Sequence, residues 1–328
     1  MKVLVTGATG FVGSHLCEYL LEHGAEVYGT YIFEHELDLL PEVVRQQVKL
    51  FRCDLMDGEQ LRETIAAVRP ERVYHLAAIS SVHKSWEGTE RVLRVNLFGG
   101  LNLLEVLRTY CPNARILMVG SGEVYGNVPE AQQPISEHTP LHPLNPYAVS
   151  KAAQELLCYQ YIHAYQLPLV IVRPFNHTGP RQALNFVCPN FAKQIAEIER
   201  GLREPVMFVG NLEARRDFSD VHDIVRAYHL AIERCPVGIP VNIASGKAWS
   251  VQEILDKLLQ LSSAPIEIRQ DADRLRPSDV PLMLGDHSLL YQQTGWQPEI
   301  DFEETLRGIL DYWRKQVALS LQHSSVVS

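Results

Sequence analysis

Tyr147 and Lys151 stand in Y-x-x-x-K spacing just after Asn145-Pro146. Proline is favoured at the first position of a helix, so the pair is read on a helix that starts at Pro146. Side chains four residues apart on a helix share a face, with Cβ atoms roughly 5–6 Å apart. An ammonium beside a phenol favours the phenolate and lowers the phenol's pKa. The expected chemistry is therefore proton transfer to or from an oxygen, with Tyr147 as the acid or base and Lys151 tuning it. Upstream, the apolar run Ile116 to Val119 leads into Ser121, Gly122 and Glu123. A hydroxyl and a carboxylate at a strand end supply a second hydrogen-bonding partner and a candidate base.

The elements that must position these groups alternate strand and helix. Lys2 to Thr6 reads as a buried strand, and Gly7, Gly10 and Gly13 follow in T-G-x-x-G-x-x-G spacing. A helix from Phe11 to His23 comes next, closed by Gly24. Strand, glycine turn and helix in that order lets backbone approach a pyrophosphate and sets a helix N-terminus beneath it. The second strand, Glu26 to Thr30, ends Gly29-Thr30-Tyr31-Ile32. An acid at this point holds the ribose of NAD; none is present, which leans the reading from NAD(H) towards NADP(H). A third strand, Val48 to Cys53, brings Asp54 and Leu55 to the adenine edge. A fourth, Arg72 to Leu76, runs into Ala77-Ala78, small enough for a cofactor backbone to pass. Ile79 to Trp86 reads as a polar loop in which Ser80, Ser81 and His83 are candidate sugar contacts. The long helix Val92 to Tyr110 buries Asn96, which needs partners there.

Leu169 to Val172 is the sixth strand, after a Pro-rich excursion from Val128 to Pro146. The pattern predicts an α/β fold with a doubly wound parallel sheet and ligands outside the strand carboxyl ends. After Pro174 the pattern changes to a smaller α/β lobe, with a terminal helix from Phe302 to Val317. The expected division is 1–175 with 218–247 for a Rossmann domain, 176–217 with 248–318 for a C-terminal substrate lobe, and 319–328 as a flexible tail. Arg181, Lys193, Arg215, Arg216 and Arg276 gather basic charge in this lobe, suited to a diphosphate. The net charge of −9 argues against a general nucleic-acid surface. Six cysteines without C-x-x-C spacing read as free thiols, with no metal site. No apolar run approaches the ~20 residues of a membrane span, and the expected setting is the cytoplasm.

Taken together, T-G-x-x-G-x-x-G at 6–13, H-L-A-A at 75–78, Ser121 and the Tyr147/Lys151 pair resemble the extended short-chain dehydrogenase/reductase family over nearly the whole chain. GSGEVYG (120–126), NPYAVSK (145–151), RPFNHTGP (173–180), FAKQIAEIE (191–199), GNLEARRDFSDV (210–221) and RPSDVP (276–281) resemble its GDP-sugar branch. The resemblance implies that Tyr147 exchanges a proton with the sugar C4 oxygen, which Ser121 also binds. Lys151 would tune the phenol and hold the nicotinamide ribose. The implied cofactor contacts are Gly7, Gly10, Phe11, Val12, Gly13, Thr30, Asp54, Leu55, Leu76, Ala77, Ala78, Asn96 and Pro174, with Tyr147 and Lys151. The implied substrate contacts are Ser80, Ser81, Ser121, Glu123 and Asn176, with Lys193, Arg216 and Arg276 on the diphosphate. Val209 and Asn211 would flank the guanine, and Asp279 would take the nucleoside ribose where the family usually has Glu. A homodimer through a four-helix bundle of Val92–Tyr110 and Tyr147–Gln166 is also implied.

Within that branch the reaction is either reduction of the C4 ketone of GDP-4-keto-6-deoxy-mannose or 4,6-dehydration of GDP-mannose. Glu123 stands where dehydratases keep the base that removes the C5 proton, but the carboxylate occurs in both. Dehydratases carry paired arginines after the second strand, where this chain has Tyr31-Ile32-Phe33, and a Trp where it has Phe218. Both departures point to the reductase. A non-catalytic nucleotide-binding regulator would be expected to lack Tyr147 or Lys151, and both are present.

Overall fold

β-Branched and leucine-rich runs form the strands of a parallel sheet in the computed structural model, which describes residues 1–271 and 280–326. In chain order they are β1 (Lys2–Thr6), β2 (Glu26–Tyr31), β3 (Lys49–Arg52), β4 (Arg72–His75), β5 (Arg115–Val119) and β6 (Leu169–Pro174). Three short strands follow, β7 (Asn176–Thr178), β8 (Val206–Val209) and β9 (Arg215–Asp220), before β10 (Pro240–Ile243) returns to the first sheet. The order is β10-β6-β5-β4-β1-β2-β3, all parallel. The direction of winding reverses between β1 and β4, and such a reversal opens a crevice at the strand carboxyl ends.

Helices cover both faces, so the central strands are buried on each side and read as nearly unbroken apolar runs. On one face Leu16, Cys17 and Leu20 of the helix Phe11–Glu22 pack with Ile224, Tyr228 and Ile232 of the helix Val221–Arg234. On the other, Leu61 and Ile65 meet Leu103, Leu107, Cys158 and Tyr161. The second lobe has its own core, in which the helices Val187–Glu199, Val251–Gln260 and Phe302–Val326 enclose Phe191, Ile195, Leu258, Phe302 and Leu306. Its strands β11 (Ala248–Ser250), β12 (Glu267–Gln270) and β13 (Leu282–Met283) pair as β11-β9-β13 and β12-β8, with β7 beside β9.

Asp217 ties three segments of the chain together. It is fully buried and accepts from Ser245 N (2.7 Å), Ser245 Oγ (2.7 Å), Gly246 N (2.9 Å) and Gly285 N (3.2 Å). The Pro-rich excursion joins in, since Ile135 N donates to Leu284 O at 2.8 Å. Some expectations differ from what forms. The last helix continues to Val326 through the segment read as a tail from residue 319, because Ser and Gln tolerate helix once a packed stem has nucleated it. Val82–Glu87 is a short helix inside the stretch read as a loop. The helix carrying Asn96 contains a π turn at Arg94–Phe98 between Thr89–Leu93 and Gly99–Tyr110.

Candidate active site

The glycine turn lies at one side of the β1/β4 crevice. Gly10 N donates to Gly7 O at 3.1 Å and Ser14 N to Gly10 O at 2.9 Å. Gly7 has φ +71°, and a Cβ there would sit 3.0 Å from Ala77 Cα. A Cβ on Gly13 would meet Gly7 O at 2.1 Å. The turn thus packs side-chain-free backbone closely over a helix N-terminus, a shape suited to a pyrophosphate. Ala77 abuts it, and its amide donates to Thr6 Oγ1 at 3.2 Å. Thr6 Oγ1 is also bonded to Nδ1 of the buried His75 (2.8 Å). Leu76 and Ala78 lie with Ala77 at the β4 end, and Leu76 N donates to Thr6 O. Thr30 is 2% exposed and spends its groups on the turn: Gly7 N donates to its Oγ1 (3.3 Å) and Ala8 N to its carbonyl (3.0 Å). It shapes the turn rather than presenting a free hydroxyl. Phe11 stacks on His177, and Val12 is half-buried behind it. Asp54 is exposed at the β3 end, while Leu55 is buried and its carbonyl accepts from Asn102. Pro174 is buried at the end of β6.

Opposite the turn, the end of β5 and the start of the helix Pro146–Tyr165 assemble the reactive groups. Ser121 caps the 3-10 turn Gly122–Tyr125 and accepts from Glu123 N at 3.2 Å. It lies beside the Tyr147 phenol and acts to lower that group's pKa. Asn145 is the N-cap of the long helix: its Oδ1 accepts from Ala148 N at 2.8 Å, and its Nδ2 donates to Glu123 Oε2 at 3.0 Å. One amide therefore starts the helix and holds the carboxylate. Asn96 gives the partners its burial requires, donating to Ser150 Oγ (2.9 Å) and Ile79 O (3.2 Å) and accepting from Ile79 N (2.8 Å). Ser150 Oγ in turn donates to Tyr147 O at 2.7 Å. Asn96 lies within the π turn Arg94–Phe98, and such turns are frequent at functional sites.

Lys151 is 3% exposed, and its Nζ donates to Val119 O (2.8 Å) and Gln154 Oε1 (3.3 Å). Burial pulls its pKa down to about 8. Burial pushes the Tyr147 phenol up to about 12, against the lowering influence of Ser121. Here the ammonium is turned to the Val119 carbonyl, and desolvation is the largest influence on the phenol. The resting site thus holds Tyr147 as a protonated acid. One turn beyond Lys151, Glu155 forms a buried pair with Arg173 of β6 (Nε–Oε2, 2.9 Å), and Arg173 also donates to Tyr125 OH at 2.7 Å. This pair pins the helix to the sheet.

The remaining predicted contacts are more scattered. Ser80 is exposed and Ser81 buried at the start of the helix Val82–Glu87. Asn176 opens β7 opposite Phe218. Lys193 lies 3.4 Å from Glu197 and over the Trp313 ring. Val209 is buried, and Asn211 Oδ1 caps a turn by accepting from Glu213 N. Arg216 Nη1 donates to the carbonyls of Arg215 and Val280. Arg276 and Asp279 lie outside the described residues. Sequence reasoning missed three groups. Asn145 carried a readable cap signal before Pro146, but nothing local ties it to Glu123. Arg173 and Glu155 meet only through the fold.

Residues 4–309 match the family model described as GDP-mannose 4,6 dehydratase. The GDP-6-deoxy-D-mannose reductase of Pseudomonas aeruginosa is 36% identical over 316 residues, covering 96% of this chain and 98% of that protein. GDP-mannose 4,6 dehydratase 1 of Arabidopsis thaliana is 33% identical over 323 residues, covering 94% and 88%. Among solved structures, the RMD of Pseudomonas aeruginosa complexed with NADPH superposes with a TM-score of 0.84 at 34% identity, covering 96% of this chain and 100% of that one. The Thermus thermophilus UDP-glucose 4-epimerase complexed with NAD has a TM-score of 0.84 at 32% identity, covering 96% and 99%.

Proposed function

From the premise that the chain belongs to the GDP-mannose 4,6-dehydratase family of extended short-chain dehydrogenases/reductases, we propose that it is an NAD(P)H-dependent reductase. Its substrate is the C4 ketone of GDP-4-keto-6-deoxy-mannose, and its product a GDP-6-deoxyhexose such as GDP-rhamnose. The observation that carries this is the Tyr147–Lys151 pair on the helix that Asn145 caps, with Ser121 and Glu123 at the end of β5 beside it.

The glycine turn, the Leu76–Ala78 strand end and Lys151 would hold the dinucleotide, which when bound supplies the hydride. Ser121 and Tyr147 bind the ketone oxygen, and Tyr147 gives it the proton. A phenol held at about 12 is a stable donor at neutral pH, and the alkoxide that forms on hydride addition is a strong enough base to take that proton. Glu123, gripped by Asn145, orients the sugar. Asn176, Lys193 and Arg216, with Arg276, bind the diphosphate, and Val209 and Asn211 border the base. Lys193 must exchange Glu197 for phosphate to do so. The chain divides for this work into 1–175 with 218–247 on the cofactor and 176–217 with 248–318 on the GDP-sugar; the pairing of β10 with β6 supports the return of 218–247 to the first unit.

General acid help is worth roughly 10²–10⁴-fold in rate. Tyr147→Phe is expected to lose that order of activity while still binding reduced nicotinamide, measured by loss of nicotinamide absorbance with the keto sugar; an unchanged rate sinks the assignment. In the second reading, 4,6-dehydration, the Glu123 carboxylate would take the C5 proton. Water loss from GDP-mannose without net nicotinamide consumption would identify it. Exposed Phe98, Val149, Leu156 and Tyr165 on the helices of the predicted bundle support a homodimer. Six unpaired thiols support a reducing, cytoplasmic setting; no described helix is long and apolar enough to cross a membrane.

A further inference from the structure

β2 itself ends without an acid, and the lean towards NADP(H) rests on that. The fold supplies one from farther along the chain. The 3-10 turn Glu34–Leu39 carries Glu36, whose Oε2 accepts the Thr9 hydroxyl at 2.9 Å. The amides of Ile32 and Phe33 point at the same oxygen from 3.5 Å. None of these three donors uses Oε1. Thr9 lies inside the glycine turn, between Gly7 and Gly10, and that turn is locked to the end of β2 through Thr30. The Glu36 carboxylate therefore stands at the carboxyl end of β2 and against the glycine turn at once. In a sheet wound in this order, that is where the adenosine ribose of a dinucleotide lies.

A carboxylate there accepts the hydroxyls of an unmodified ribose. It also repels a 2′-phosphate placed within a few ångströms of it. A cation at this edge opposes this. Arg52 ends β3 in register with Tyr31 and is exposed. The same edge carries Glu34, which accepts from Tyr31 OH at 3.1 Å, and Asp54. This edge thus carries the carboxylates of Glu34, Glu36 and Asp54 together with the Arg52 guanidinium.

We propose that Glu36 determines cofactor choice, holding the adenosine ribose diol of NAD(H) and disfavouring the 2′-phosphate of NADP(H). The proposal rests on the reading above that the glycine turn holds a nicotinamide dinucleotide. It reverses the lean drawn from β2 alone, because the acid comes from five residues past the strand.

The test is equilibrium titration of the full chain with NADH and NADPH, followed by nicotinamide fluorescence, and with ADP and 2′,5′-ADP by calorimetry. The natural protein binds NADH more tightly than NADPH by about 10-fold or more. Glu36→Gln keeps an oxygen for the Thr9 hydroxyl and removes the charge. It shifts the ratio towards NADPH by about 10- to 100-fold, and the ADP pair moves in parallel. Arg52→Ala leaves the preference for NADH standing. Equal or tighter binding of NADPH by the natural protein overturns the proposal. So does a Glu36→Gln protein, folded by its thermal melt, with an unchanged ratio. Failure of all four nucleotides to bind the natural protein overturns the dinucleotide reading itself, and the proposal with it.

Discussion

Asn145 performs two tasks with one side chain, and substitutions can separate them. Asn145→Ala removes the cap on Ala148 N and the donor to Glu123. Loss of an Asn cap costs about 1 kcal/mol. A hydrogen bond to a charged group is worth about 1.5–3 kcal/mol when desolvated, but Glu123 is only half-buried, so water recovers most of it. The expected loss of stability is about 1.5 kcal/mol, read from urea unfolding by tryptophan fluorescence. Activity should fall further, because the helix begins one residue before Tyr147 and frays with its cap. A fall of about 10-fold in kcat corresponds to about 1.4 kcal/mol of misplaced transition-state contact. Asn145→Ser separates the effects: serine caps nearly as well as asparagine but is too short to hold Glu123. That variant should keep nearly natural stability and still lose the rate. A Ser variant with natural kcat refutes the positioning of Glu123, and an Ala variant with an unchanged urea midpoint refutes the cap.

Three further outcomes follow from the same geometry. Burial holds Lys151 at about 8, below its ordinary 10.5, so between those values the unfolded chain binds more protons and stability rises with pH. Lys151→Met should flatten that rise, worth up to about 3 kcal/mol, leave the protein no less folded at neutral pH, and abolish turnover; unfolding curves on either side of the window and a rate assay check it. Asp217 is pushed up to about 6 by burial, so stability from this group falls as pH rises from the ordinary 3.8 through that value. Asp217→Asn sets an amide against two of its backbone donors and should cost about 2–4 kcal/mol, with a denaturant midpoint unchanged from the natural protein counting against the network. Leu156, 61% exposed on the helix carrying Tyr147, should yield monomer on light scattering when replaced by Glu, and an unaltered mass would remove that face from the interface.

What could be read from sequence follows the range of each interaction. The glycine turn is legible because Gly7 and Gly13 answer to contacts within a few residues or at one neighbouring strand end: a positive φ in one case, an overlap with Gly7 O in the other. Tyr147 and Lys151 are legible because helix periodicity alone sets them on one face. The parallel sheet is legible because doubly covered strands become unbroken apolar runs. The charge states inside the site were not. Lys151 stands where its spacing puts it, yet its ammonium answers to the Val119 carbonyl and Gln154, a choice made by the strand it meets. The same limit applies to Glu36 and Thr9, 27 residues apart, to Asn145 and Glu123, 22 apart, and to Arg173 and Glu155, 18 apart. Each is a polar side chain on its own element with no local reason to be where it is. Their partners exist only after the sheet has brought β2 beside β1 and the long helix beside β5. These pairs also bear on cofactor choice, helix entry and carboxylate orientation. A motif of neighbours therefore specifies the reaction family, while the variant within it is written in contacts that local patterns do not encode.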